Sequence, residues 1–382
     1  MGNSTNRDDG ILYPRGLENA EINQRVDYFN EAMIKHYYFD QTISDANRYL
    51  QTRMRGTVII IVGPAGVGKT ALCELLCDQA NASYFASHPD DQFVIPAVGI
   101  EALAPEREGE AFDWDEFKIN LLERLQIPLV GESLPAVNQM ILGKKVLVPQ
   151  YDVGVKGIRR ALRRRLISGI DVRNPTLVFV DEAANMLKGA RGRSVDTQAN
   201  TMRSLINNVK TKLLLTGAYD LHDLISSSGQ LARRGRLIHM KAYTSKERDK
   251  FMGGLIGLKN SMPIKRNFDI SDFADMLESG SAGCIGVVKS ILLDVMVLSD
   301  MENARISRDL VSRCMPAADV VETLWREVFK GYYRVERTLH PDDKKGIGSA
   351  RTQSEAKSET PSRRRRRGRV GLQKPRRHRM ES

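Results

Sequence analysis

A glycine-rich segment near the start of the chain has the residue types and spacing of a phosphate-binding loop. Gly63-Pro-Ala-Gly-Val-Gly-Lys69-Thr70 matches the pattern GxxxxGK[ST]. Glycines allow successive backbone N–H groups to point at phosphate oxygens, and the following helix adds the positive end of its dipole. In such a loop the lysine reaches the β- and γ-phosphates and the hydroxyl binds Mg²⁺. We therefore expect ATP and Mg²⁺ to bind at Gly63, Pro64, Ala65, Gly66, Val67, Gly68, Lys69, Thr70 and Ala71.

An acidic pair after a later apolar run could complete this chemistry. Asp181 and Glu182 follow Thr176-Leu-Val-Phe-Val. A carboxylate at the carboxyl end of a parallel strand lies where such sheets bind ligands, so we expect Asp181 to hold Mg²⁺ together with Thr70. Glu182 is one residue further toward the γ-phosphate and is the candidate general base for an attacking water. Strands often end in acidic residues, and the upstream loop is what favours the catalytic interpretation.

Three further residues are candidates for contact with a γ-phosphate. Thr216 ends another apolar run and could act as a polar sensor, or its hydroxyl could simply cap a turn. Arg233 and Arg234 precede the last apolar run, and one of them could reach the γ-phosphate of a neighbouring subunit as an arginine finger. A solvated basic turn is the alternative, and the sequence does not decide between the two arginines.

The spacing of apolar residues predicts an α/β fold. Strands separated by helices are typical of a parallel sheet that is covered on both faces. Five strand-like runs alternate with helical patterns, and these runs are Thr57 to Val62, Phe93 to Val98, Thr176 to Val180, Lys212 to Thr216 and Arg236 to Met240. After the last run the pattern is helical throughout, which predicts a small helical lid.

Positive charge is concentrated at one end of the sequence. The 382 residues carry a net charge of +11, and residues 361–382 contain nine Arg, one Lys and one Glu, which is +9 of that total. The sequence contains no apolar run long enough to span a membrane and no CxxC pair among its four cysteines. We expect a soluble, intracellular protein without a zinc or disulfide framework.

The order of these motifs resembles that of an AAA+ ATPase, and more narrowly that of the TnsC/TniB transposition regulators of Tn7-like elements. The resemblance covers roughly residues 11–335. It is carried by Tyr13-Pro14, the loop after Thr57-Val-Ile-Ile-Ile-Val, Leu177-Val-Phe-Val-Asp-Glu-Ala, Leu213-Leu-Leu-Thr-Gly-Ala, Gln230-Leu-Ala-Arg-Arg and Ser281-Ala-Gly-Cys-Ile-Gly.

Apolar spacing and composition predict a domain organisation, and the resemblance implies a function. Residues 1–55 would be an N-terminal extension, mostly helical from about residue 19, 56–243 the α/β AAA+ core, 244–335 the lid and 336–382 a disordered linker with an arginine-rich tail. The implied protein is a regulatory ATPase of the bacterial cytoplasm that forms a homo-oligomeric ring or filament on duplex DNA. It would mark a target site for a transposase and contact a TniQ/TnsD-like target selector.

One departure from related proteins lies in the lid. Origin-recognition relatives place an arginine after a glycine turn, whereas this chain has Gly286 there, with the nearest cation at Lys289. A lid contact to the nucleotide is therefore not implied by the resemblance.

Three basic segments are candidates for DNA contact. A glycine-rich loop after the acidic pair could place Lys188, Arg191 and Arg193 on phosphates, or be a solvated loop. A helical pattern containing Arg159 to Arg165 could face solvent, another subunit or DNA, and its role stays open. The terminal cluster is expected to contact polyanions without reading sequence, with a targeting signal or partner-binding segment as the alternative; it comprises Arg363, Arg364, Arg365, Arg366 and Arg367.

Three other functions compete with the transposition hypothesis. A replication initiator or helicase loader would share the fold but carry a winged-helix domain after the lid, for which the remaining polar and basic residues are too few. A secretion-type ATPase would show a membrane or peptidoglycan-binding segment. A scaffold that binds ATP without turnover is disfavoured by Glu182.

Overall fold

The computed structural model describes residues 10–52, 57–107, 110–127, 136–141, 144–149, 155–188, 211–223 and 235–339. Their core is a five-stranded parallel sheet in the order β2-β5-β6-β1-β7. The strands are β1 (Val58–Val62), β2 (Ala97–Glu101), β5 (Leu177–Asp181), β6 (Lys212–Gly217) and β7 (Gly235–His239). The α/β prediction, with helices covering the sheet and following it, is confirmed.

The central strand shows why the sheet is covered on both faces. Side chains alternate between the two faces of a strand, and all five residues of β1 are buried. Val58, Ile60 and Val62 pack in one hydrophobic cluster, while Ile59 and Ile61 pack in a second on the opposite face. A continuous apolar run is therefore needed at this strand.

Helices flank the sheet and extend from it on both ends of the sequence. An N-terminal pair, α1 (Ile22–Glu31) and α2 (Tyr37–Leu50), precedes β1. The helices α3 (Lys69–Ser87), α4 (Trp114–Arg124) and α5 (Val155–Arg173) connect the strands. Five more follow β7, and they are α6 (Arg248–Ser261), α7 (Ala274–Ser281), α8 (Ile285–Met301), α9 (Arg308–Arg313) and α10 (Ala318–Leu339).

Two local predictions differ from the structure. The second strand begins at Ala97, not at Phe93, whose side chain is 75% exposed; the intervening Pro96 lacks an N–H and only accepts, from Thr176 and Leu177. Between α4 and α5 the chain forms an antiparallel hairpin, β3 (Ala136–Ile141) and β4 (Lys144–Pro149), which the sequence analysis missed.

The lid has its own hydrophobic core, and the N-terminal helices pack against it. Phe251, Leu255, Val288 and Leu292 are buried in this cluster together with Phe29 of α1. Among the described residues, no single helix is both long and apolar enough to cross a membrane; the segments Ile270–Ser281 and Ile285–Met301 reach that composition only as a pair bent by 120°.

Candidate nucleotide-binding site

The phosphate loop lies between β1 and α3, in the strand-to-helix connection that the sequence predicts. β1 ends at Val62 and α3 begins at Lys69. Gly66 and Gly68 have φ of +74° and +96°, conformations that residues with a Cβ adopt at an energetic cost. At Gly63 a Cβ would lie 2.3 Å from the carbonyl oxygen of Met240, so this position accepts no side chain. The glycines of the motif therefore have specific steric roles.

Lys69 is buried at the start of α3, beneath the loop. Its side-chain ammonium donates to the carbonyl oxygens of Gly63 at 3.0 Å and Pro64 at 2.8 Å. Burial lowers the pKa of Lys69, and nearby carboxylates, first among them Glu182 and then Glu327, oppose that shift. The charge is thus held in the loop by backbone oxygens.

Asp181 connects the loop to two neighbouring strands. Its two carboxylate oxygens accept hydrogen bonds from the Thr70 hydroxyl at 2.6 Å and from the Thr216 hydroxyl at 2.5 Å. Hydroxyl and carboxylate oxygens are hard donors of the kind that Mg²⁺ prefers, so Thr70 and Asp181 fit the predicted metal site. Thr216 is fully buried at the end of β6.

Glu182 has an unusual backbone conformation directly after β5. Its φ is +48°, in the left-handed region, and its N–H donates to Asp181 Oδ1 at 2.9 Å. Non-glycine residues pay about 1–3 kcal/mol for such a conformation, which is common at functional sites. The turn separates the Glu182 side chain from the strand and leaves it half-buried, next to the charge of Lys69.

The lid contacts the loop through its longest apolar helix. The N–H of Gly286, in the first turn of α8, donates to the carbonyl oxygen of Gly66 at 2.7 Å. A Cβ on Gly286 would lie 2.5 Å from that oxygen. Lys289 instead donates to the carbonyl oxygens of Asn30 and Ala32, both at 2.8 Å, and so holds the end of α1. The lid thus meets the loop by its backbone, while its nearest cation contacts the N-terminal helix.

Comparison with known proteins agrees with this geometry. Residues 52–225 match the family model described as AAA domain. The structure is also similar to that of the ORC2 protein of Aeropyrum pernix in its ADPNP–ADP complexes, with a TM-score of 0.52 and 14% identity over 76% of this chain and 70% of that one. Residues 52–225 are thus similar to an AAA domain. The architecture of the chain is the AAA+ P-loop fold followed by a helical lid.

Two other solved structures were compared with this one. A TM-score of 0.49 is found for A. pernix ORC2 in its ADP form, at 15% identity over 75% of this chain and 71% of that one. The same score is found for A. pernix ORC1 in complex with DNA, at 13% identity over 76% and 67%. At these identities the similarity concerns the fold alone. The curated protein sequences contain no significant match to this chain.

The loop and the strand ends bring together only some of the predicted site residues. Lys69, Thr70, Asp181, Glu182 and Thr216 converge at the loop edge of the sheet. Lys188 is exposed at the end of a short 3-10 helix after β5. The remaining predicted arginines lie outside the described residues, and they are Arg191, Arg193, Arg233, Arg234 and Arg363 to Arg367.

Two residues near the loop were not found by sequence reasoning. Glu327 on α10 accepts a hydrogen bond from the N–H of Ala65 at 3.2 Å, across 262 residues of sequence. His36 lies just before α2, with its Nδ1 2.9 Å from the Tyr243 hydroxyl, and its ring is also hydrogen-bonded to the Val67 backbone. Neither belongs to a local motif, and such long-range contacts leave no spacing signal in a single sequence.

Proposed function

We propose that this protein binds Mg·ATP at the phosphate loop and hydrolyses it. The observation that carries the proposal is the convergence of Thr70, Asp181 and Glu182 beside Lys69. The loop N–H groups and the Lys69 ammonium would bind the phosphates, while the Thr70 hydroxyl and the Asp181 carboxylate would hold Mg²⁺. When bound, the metal would neutralise charge on the phosphate oxygens.

Glu182 is the proposed general base. Its carboxylate is one residue beyond Asp181 and is turned out of the strand, which supports a role in orienting and deprotonating a water. Thr216 is proposed to hold the Asp181 carboxylate in place and to serve as the polar sensor. Arg233 or Arg234 of a neighbouring subunit is proposed to stabilise charge on the γ-phosphate.

We further propose that ATP binding drives assembly on duplex DNA and that the assembly regulates transposition. The motif order resembling TnsC/TniB regulators supports this proposal, as does the concentration of +9 in residues 361–382. Lys188, Arg191, Arg193 and the cluster Arg363 to Arg367 are the proposed phosphate contacts. The transposase and a TniQ/TnsD-like selector are the proposed protein partners.

Replication initiation is a second candidate. It is favoured by the likeness to A. pernix ORC2, at a TM-score of 0.52. Both candidates require an AAA+ nucleotide site, and they differ in how DNA is recognised. An initiator selects particular origin sequences, whereas a regulator that marks targets by encircling DNA relies on backbone contacts.

Electron microscopy of the protein with duplex DNA and a non-hydrolysable ATP analogue tests this proposal. We expect rings or filaments around DNA of unrelated sequences, and their loss in the Lys69→Ala variant. Discrete complexes confined to particular sequences would favour the initiator. ATP binding without any DNA complex would reject both DNA-based functions and leave only the nucleotide site.

A further inference from the structure

The last described helix, α10, contacts the phosphate loop through an acidic side chain. Glu327, half-buried in the middle of this helix, accepts the Ala65 N–H through Oε1 at 3.2 Å. Backbone N–H groups of such loops bind anions. Glu327 therefore places a carboxylate on a donor of the site that Mg·ATP is proposed to occupy. Its charge also acts on buried Lys69.

Helix α10 lies along the edge of the sheet that carries this site. Beyond Glu327, the side chain of Glu336 contacts His239 Nδ1 at 2.8 Å and the Lys241 ammonium at 2.9 Å, both at the end of β7. Arg334 forms ion pairs with Asp220 and Asp223, which follow β6. The helix thus extends from the phosphate loop to the ends of β6 and β7, the two strands that flank β1.

The attachment of α10 combines these polar contacts with an apolar stripe. Val328, Gly331 and Val335 are buried, and Leu324, Trp325 and Leu339 pack, partly buried, against the hydrophobic clusters of the sheet. Gly331 sits against the Tyr219 ring, and a Cβ there would lie 1.9 Å from the ring, so the helix approaches closely at one point. Phe329 and Tyr333 remain about half exposed, at 53% and 47%. Loss of the Glu327 contact would therefore weaken the attachment of α10 without removing its apolar contacts.

We propose that α10 is an autoinhibitory strap whose Glu327 carboxylate competes with the phosphates of ATP for the loop N–H and for the charge of Lys69. The inference rests on the proposed nucleotide site. A carboxylate and a phosphate repel each other and cannot share one donor. ATP binding therefore displaces Glu327 from the loop and weakens the attachment of α10. Conversely, α10 lowers the affinity for ATP while Glu327 is bound to the loop.

The test compares ATP affinity in matched variants of the full chain. Glu327→Gln removes the charge but keeps the shape, and Glu322→Gln is the control, because Glu322 lies on the same helix and pairs with Arg326 at 2.7 Å on its exposed side. Removing one adjacent like charge from a partly buried site corresponds to about a tenfold gain. We expect isothermal titration calorimetry with Mg·ATP to give a Kd about tenfold lower for Glu327→Gln and unchanged for Glu322→Gln.

Three other outcomes contradict the proposal, and they can be told apart. Equal ATP affinity in wild type and Glu327→Gln, or a weaker affinity in Glu327→Gln, overturns the strap and leaves the nucleotide site intact. Failure of folded wild type and folded Glu327→Gln to bind ATP at all overturns the nucleotide site, and the strap with it. Hydrogen exchange gives an independent measure: saturating ATP should raise exchange in α10, and unchanged or slower exchange there overturns the displacement.

Discussion

The Thr70 hydroxyl lies 2.6 Å from Asp181 Oδ2, although the two residues are 111 positions apart in the chain. One follows the loop after β1 and the other ends β5, with β6 between these strands in the sheet. The pair meets because parallel strands bring their carboxyl ends to the same edge. This contact joins the two sequence motifs into one site.

The first prediction separates ATP binding from hydrolysis. Glu182→Gln preserves size and hydrogen bonding but removes the proposed base, so ATP should still bind while turnover falls by about 10²–10⁴-fold. Glu101→Gln is the matched control, since Glu101 is an exposed residue at the end of the neighbouring strand β2. Phosphate release assays measure both variants. Wild-type turnover in Glu182→Gln would assign the base to another residue.

The second prediction concerns catalysis between subunits. If Arg233 or Arg234 acts on a neighbour's γ-phosphate, turnover per subunit should rise with protein concentration or added DNA. The double alanine variant should lose roughly 10³-fold in turnover while still binding ATP. The single variants then identify which arginine acts. A concentration-independent rate that survives the double substitution would favour the solvated basic turn.

The third prediction concerns His36 and pH. Burial lowers the pKa of His36 to about 4, against an opposing hydrogen bond with the Val67 backbone. The unfolded state, with a pKa near 6.5, binds more protons between these values, so the contribution of His36 to stability is complete above pH 6.5 and is lost as the pH falls toward 4. Between pH 7.5 and 5 the loss should be about 2 kcal/mol.

The matched variant for this prediction is His36→Asn, which keeps a polar group near the position of Nδ1 but does not titrate in this range. Denaturant unfolding of both proteins at the two pH values measures the difference. The variant should lose about 2 kcal/mol less than wild type over this interval. Equal losses in the two proteins would show that His36 does not stay neutral in the folded state.

The fourth prediction concerns the arginine-rich segment. If about five of its cations lie on DNA phosphates, truncation after Thr360 should make the slope of log affinity against log salt shallower by about 4 to 5, on all DNA sequences alike. Replacing Arg363 to Arg367 with glutamine at full length should reproduce the effect. An unchanged slope would indicate that the segment binds a protein partner and that the AAA domain supplies the DNA contacts.

The sequence is informative where function is local. The phosphate loop, the end of β5 at Asp181 and four of the five strand positions follow from short patterns, because a buried parallel strand needs a continuous apolar run and the loop needs glycine. The hairpin from Ala136 to Pro149 was missed, although Val146 and Val148 alternate as in a strand. A buried sheet is marked by long apolar runs, and a short two-stranded element has none.

Other parts of the site depend on packing across the chain. Glu327 and His36 reach the loop from α10 and from the start of α2, and neither belongs to a motif. Lys289 also makes a long-range contact. Its ammonium donates to carbonyl oxygens at the end of α1, so it contacts the N-terminal helix, where a lid sensor would contact the nucleotide. The spacing of residues in a sequence indicates which side chains are neighbours within one helix or strand. These contacts join elements that are far apart in the sequence, so spacing does not predict them.

The most direct test of the nucleotide site is titration of Mg·ATP into wild-type protein and Lys69→Ala. Lys69 is the loop's one cation, and its substitution leaves the phosphates without a charged donor. Wild type and the control Lys246→Ala, an exposed lysine at the start of the lid, should bind one ATP per subunit, and folded Lys69→Ala should show no measurable binding. Near-wild-type affinity in Lys69→Ala would contradict the assignment of this loop as the ATP site.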